Sequence, residues 1–243
     1  MLRPIDTARA ARRLFGPLLL LLTAACSATT QLEGTDDAAV FGGARLALAL
    51  DRDTGLPSER FADLQFDVAE GEFDQVLGAG QDLTFDGTVF SGPGTVAADL
   101  DWTSISARYR QRFELNESVF VDGSVGVGFL ELESEVSGLG SFARRSDNAF
   151  GPMCGVTVGV ELVPRLLFIA GYELGGGFEV DEDVDYSALE IGLQAQIADP
   201  LAVFVGWRRL EIEVDRDPLP GSLDESGIEA DLSGVRLGLR WLF

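Results

Sequence analysis

The chain ends on Arg236-Leu-Gly-Leu-Arg-Trp-Leu-Phe243. Side chains alternate across an extended strand with a period of two. Leu237, Leu239, Trp241 and Phe243 therefore share one face, and Arg236, Gly238, Arg240 and Leu242 share the other. One face is apolar and aromatic; the other is mostly Arg and Gly. The same period recurs upstream, in segments 42–51, 99–113, 118–131, 154–162, 166–174, 189–197 and 201–214. In 99–113, Thr103, Ile105, Ala107 and Tyr109 oppose Ser104, Ser106, Arg108, Arg110 and Arg112. In 201–214, Leu201, Val203, Val205 and Trp207 begin an apolar face that shifts near Arg209. With 232–243 these segments make about eight strands, each near the length a tilted membrane strand needs.

The connections alternate in length. Short ones lie around Asn116-Glu117, Val163-Pro164-Arg165 and Ala198-Asp199-Pro200; long ones cover 52–98, 132–150, 175–186 and 215–231. Short turns at one end and long loops at the other mark outer-membrane barrels, with turns periplasmic and loops extracellular. An even strand number puts both termini on the periplasmic side. The segment 52–98 is long for a loop and contains strand-like pieces at 61–68 and 83–90. It reads as an extracellular hairpin, or as two more spanning strands that bring the total to ten. Phe120, Phe168 and Phe204 each lie four residues past a turn residue, which puts them at one depth and suggests an aromatic girdle.

The closing strands of bacterial outer-membrane β-barrels typically read polar-x-Gly-x-x-aromatic-x-aromatic, and Arg236, Gly238, Trp241 and Phe243 occupy those positions. From about residue 41 onward the chain resembles the small outer-membrane barrels of the OmpA/OmpX type. The resemblance implies an antiparallel up-and-down transmembrane β-barrel, insertion by the barrel-insertion machinery, and a non-enzymatic role at the surface of the Gram-negative envelope.

The amino end carries Arg9, Arg12 and Arg13 before a short apolar run, 14–23, and then Thr23-Ala24-Ala25-Cys26. The run is too short to span a bilayer and reads as an export signal, 1–25. Cys26 after two Ala resembles the lipobox of bacterial lipoproteins, which implies acylation of Cys26 and an anchor at the periplasmic face. Thr23 stands where Leu is usual, and the other reading is ordinary cleavage near Ala25 or Ala28. Residues 26–40, polar and small, read as a tether.

Composition narrows the function. Acidic residues number 40 against 18 basic ones, for a net charge of −22, and every basic residue is Arg. Such a chain is not built to neutralise nucleic-acid phosphates. It has no His, so Ser–His and Cys–His nucleophile pairs and His metal sites are absent. No segment positions a carboxylate pair for glycoside hydrolysis. The expectation is a non-enzymatic barrel with no cofactor.

The inward face holds Arg45, Arg108, Arg110, Arg112, Arg208, Arg236 and Arg240 with Asp122, Glu161, Glu173 and Glu190. Side chains alone fill a barrel of about eight strands, and buried charges must pair. This implies a plugged, salt-bridged interior and a structural or surface-interaction role through acidic loops. A narrow pore for small solutes, or a soluble lipid-anchored lipocalin-like binding barrel, are the alternatives. Acidic clusters at 179–185 and 211–231 offer oxygen ligands to divalent cations, which could bridge to lipopolysaccharide beside the membrane lipid.

Overall fold

The computed structural model describes residues 32–51, 58–179, 182–216 and 228–242. The expectations for the export signal, Cys26 and Phe243 lie outside these residues. The described chain is all β: β1 Leu32–Asp51, β2 Ser58–Leu77, β3 Asp82–Phe85, β4 Thr88–Ser91, β5 Gly94–Asn116, β6 Val119–Gly138, β7 Ser141–Val163, β8 Leu166–Glu179, β9 Glu182–Ala198, β10 Leu201–Arg216 and β11 Ile228–Leu242. Nine strands close into a barrel in the order β1-β2-β5-β6-β7-β8-β9-β10-β11, and β11 returns to β1. Neighbours are antiparallel except at this seam, where β1 and β11 run parallel from Leu32↔Ile228 to Ala47↔Leu242.

Local chemistry makes the turns. Asp86 and Gly87 between β3 and β4 both have positive φ, 47° and 72°, as a type I′ hairpin requires. Leu139 and Gly140 do the same between β6 and β7, at 52° and 82°. Pro164-Arg165 joins β7 to β8, with Arg165 at φ 73°, the second central position of a type II turn. The Asn116 side-chain oxygen accepts from the Ser118 amide at 2.9 Å and shapes the β5–β6 turn.

The strands are longer than one bilayer-type band needs, and their chemistry inverts partway along. On β5 the inward residues are Val96, Ala98, Leu100 and Trp102, then Ser104, Ser106, Arg108, Arg110 and Arg112. Its outward residues are Ala97, Asp99, Asp101 and Thr103, then Ile105, Ala107, Tyr109, Gln111 and Phe113. On β10 the inward series Phe204, Gly206, Arg208 becomes Leu210, Ile212, Val214, while outward Val205 and Trp207 give way to Arg209, Glu211 and Glu213. On these two strands the pleat never slips; only the residue type changes sides. This accounts for the face shift near Arg209.

The outer boundary of the change falls at Val40, Val68, Ile105, Phe129, Phe150, Leu174, Leu189, Trp207 and Val235 on successive strands. It keeps to one hydrogen-bonded rung in places: Ile105 pairs with Phe129, Phe129 with Phe150, Trp207 with Val235, and Val235 with Val40. Elsewhere it drops toward the turn end, as tilted strands require, and it closes on itself. The barrel therefore has two storeys. The lower one, beside the short turns, is apolar outside and ionic inside. From the boundary to the turns its outer wall carries one charged side chain among the described residues, Arg60 at the rim. The upper one is acidic outside and packed mainly with Leu, Ile, Val, Phe and Trp inside, with Arg145 and Asp147 of β7 buried there as an ion pair at 2.6 Å. Leu83, Phe85 and Phe90 of the β3–β4 hairpin, at most 1% exposed, join that upper core.

Several expectations change. The barrel has nine strands, not eight or ten. With an odd number and a parallel seam, Leu32 lies at the loop end and Leu242 at the turn end, so the two do not share a side. The stretch 52–98 is not one long loop: β2 runs through the wall, and the β3–β4 hairpin packs inward rather than projecting. The stretch 132–150 is paired strand up to Leu139-Gly140, and β8 and β9 pair as far as Glu179↔Glu182. Part of the expected tether, 32–40, is β1. In each case the strand continues past the point where its outward alternation loses apolar residues.

Truncating Phe90 tests the hairpin's place in the core. Phe90→Ala should reduce stability by about 3–5 kcal/mol and open 78–93 to protease while the lower storey stays protected.

Candidate functional site

The lower interior is built on three Arg at alternate positions of β5, flanked by a Phe-x-Asp pair on each neighbouring strand. On β2 these are Phe61 and Asp63; on β6 they are Phe120 and Asp122. Arg110 lies 4.0 Å over the Phe61 ring, donates through Nε to Asp63 at 2.7 Å and through Nη1 to Asp122 at 2.8 Å. Arg112 stacks on Phe120 at 3.6 Å and holds both oxygens of Asp122, at 2.8 and 2.9 Å. Arg45 from β1 completes the group, with Nη2 on Asp63 at 2.5 Å. A planar guanidinium satisfies two carboxylates and an aromatic face together, which an ammonium cannot do.

Nearer the boundary, Arg108 forks onto Glu173, with Nη2–Oε1 at 2.9 Å, and the Tyr186 hydroxyl donates to the same carboxylate at 2.7 Å. Tyr186 also meets Trp102 edge-on at 5.2 Å between ring centres. This contact ties the ionic storey to the apolar one. Arg236 bridges Glu190 and Asp67, the latter at 2.5 Å, and Arg208 lies 3.5 Å from Asp67. Arg240 donates to the side-chain oxygen of Gln194 at 2.9 Å. Glycine makes room for the large side chains. A Cβ at Gly159 would sit 2.0 Å from the Phe120 ring, and one at Gly192 2.6 Å from that of Phe204.

Of the residues expected inside, Arg108, Arg110, Arg112, Glu173, Glu190, Arg208, Arg236 and Arg240 meet here with Arg45 and Asp122. Glu161 does not: it lies exposed at the turn rim, past the end of the network. Asp63, Gln65 and Asp67 were missed because they fall in the stretch taken for a loop, although the alternation of 61–68 was visible. Phe120 and Phe204 point inward and are buried, whereas Phe168 faces out, so the three do not form a girdle. Of the closing-strand residues, Arg236 and Gly238 face in and Trp241 faces out.

Among the described residues, no group of three or more Asp, Glu, Cys or His is arranged to hold a metal ion. Asp181, Asp217, Asp224 and Glu225 lie outside those residues. On the upper outer wall Arg209 instead clamps Asp231 at 2.6 Å and Glu211 at 2.9 Å. The hydrogen bond and attraction of Asp231, then Glu211, hold its guanidinium above the ordinary value. The lower interior retains a cavity of about 80 Å³ lined by Arg45, Arg108, Glu173, Glu190, Arg208, Arg236 and Arg240. No protein-family model matches the chain, and no curated protein or solved structure matches it.

Removing the acid shared by Arg45 and Arg110 leaves Arg45 without its carboxylate and Arg110 with Asp122 alone. Asp63→Asn should lower stability by about 3–5 kcal/mol, read as the midpoint of denaturant unfolding. Asp74→Asn on the outer wall should stay within about 0.5 kcal/mol.

Proposed function

We propose that the protein is a bacterial outer-membrane β-barrel whose lower storey spans the bilayer and whose upper storey stands above it. One observation carries this reading: the apolar outer band encircles all nine strands at a closed boundary, at the same depth as the ionic interior. Soluble barrels have no use for that arrangement, because exposing a continuous ring of Leu, Val, Phe and Trp to water is unfavourable. On β5 and β9 the band covers 105–113 and 189–197, close to the 9–11 residues of a tilted membrane strand. The clean closing strand, with Trp241 outward, fits insertion by the barrel machinery.

The role proposed is non-enzymatic, structural or surface-interacting. The interior favours a plugged barrel over a pore: Arg, Phe and carboxylate groups fill the lower storey, and the β3–β4 hairpin packs into the upper one. The upper storey does have the polar-out, apolar-in code of a soluble barrel, but the same strands carry both storeys. Its acidic wall is the surface offered to partners, beside membrane lipid and lipopolysaccharide. With the turn end periplasmic, Leu32 lies on the loop side.

Purified from the outer-membrane fraction, the protein should migrate faster on a detergent gel before boiling than after. In planar bilayers it should show no steady openings; regular single-channel steps would replace the plugged reading with the pore.

A further inference from the structure

We propose that the cavity in the lower storey binds a small monovalent inorganic anion of the chloride class. The site goes beyond the membrane reading, since it depends on the barrel interior and not on what surrounds the wall. Among the described residues, seven inward guanidiniums of this storey meet five carboxylates inside the wall, an excess of two positive charges there; Glu59, Glu114 and Glu161 share the inward parity but stand exposed at the turn rim. Uncompensated interior charge costs several kcal/mol per group.

Two residues locate the deficit. Arg240 has a neutral amide, Gln194, as its hydrogen-bond partner and no carboxylate among the described residues. Arg208, with a side chain only 4% exposed, reaches Asp67 at 3.5 Å, and its buried Nε has no partner. Both line the cavity of about 80 Å³, together with Arg108 and Arg236. A water could accept from Nε but would leave the charge excess untouched; an anion answers both. One water occupies roughly 10–15 Å³ on this measure. The space therefore takes a halide with a few waters and excludes a polyhydroxy carboxylate such as gluconate.

The test is the thermal unfolding midpoint of the full-length protein in detergent, at constant ionic strength, as sodium chloride or bromide replaces sodium gluconate. Both halides should raise the midpoint saturably. The increment, not the absolute midpoint, should be lost or need at least ~10-fold more halide in Arg240→Gln, and should persist in the outer-wall variant Arg209→Gln. Equal midpoints in chloride and gluconate, or an undiminished increment in Arg240→Gln, would overturn the proposal. If Arg240→Gln does not fold, chloride-35 line broadening on the unsubstituted protein decides. Saturable broadening displaced by bromide supports the site, and its absence ends it. A barrel that folds without halide dependence sinks the anion alone; failure to migrate as a barrel sinks the membrane reading.

Discussion

Without a bulge, a pleated strand cannot change which of its residues face inward; only the residues themselves can change. Everything in this barrel follows from that constraint. β5, 23 residues long, runs through both storeys without a slip in the pleat, so it must exchange its inner and outer chemistry at one depth. β5 does so between Trp102 and Ser104 inside, and between Thr103 and Ile105 outside. A one-residue offset between strands would turn charges to the wrong side. The boundary nevertheless closes around all nine strands, and the proposed membrane placement rests on that closure.

The lower storey then faces a packing problem. Its wall gives its apolar side chains to the outside, so the interior must be held by groups that satisfy one another. The solution repeats: an Arg on β5 lies over a Phe and grips the Asp two residues further on the neighbouring strand, at Phe61/Asp63 and again at Phe120/Asp122. The ring covers one guanidinium face while its edge donors are used by carboxylates. A chain with Arg as its only basic residue is suited to this, because the fork can serve two acids at once, as Arg110 serves Asp63 and Asp122.

Much of this was legible in the sequence. Period-two segments located wall strands, and alternation alone gives Arg108, Arg110, Arg112, Glu173, Glu190, Arg208, Arg236 and Arg240 the inward parity on which they meet. What failed was wherever the outward code turned polar. Residues 70–74 and 132–135 resemble loop text, since acids at alternate positions are the common sign of solvent exposure; here they belong to paired strands. Asp63 and Asp67 lie below that change, where 61–68 still alternates, inside the stretch 52–98 that reads as a hairpin or as two more spanning strands. Glu161 failed differently: its parity is inward, but it sits at the rim, and parity carries no depth. The hairpin's inward turn rests on Leu83, Phe85 and Phe90 meeting a core built from other strands, which no local pattern encodes.

The seam joins these points. Nine strands oblige β1 and β11 to pair in parallel, a geometry slightly weaker per residue than antiparallel pairing, and the seam carries a register shift between Asp36 and Ala39. Arg236 of β11 does not stop at its neighbour. It reaches over β1 to Asp67 of β2, a partner 169 residues away. Gly43 of β1 is what lets it pass: a Cβ there would lie 2.5 Å from the Asp67 carboxylate and 3.1 Å from the Arg236 guanidinium. Arg45 of β1 meanwhile reaches Asp63 on the same strand β2. Interior ion pairs thus brace the one junction that backbone geometry leaves weakest, so the charged core serves barrel closure as well as charge balance.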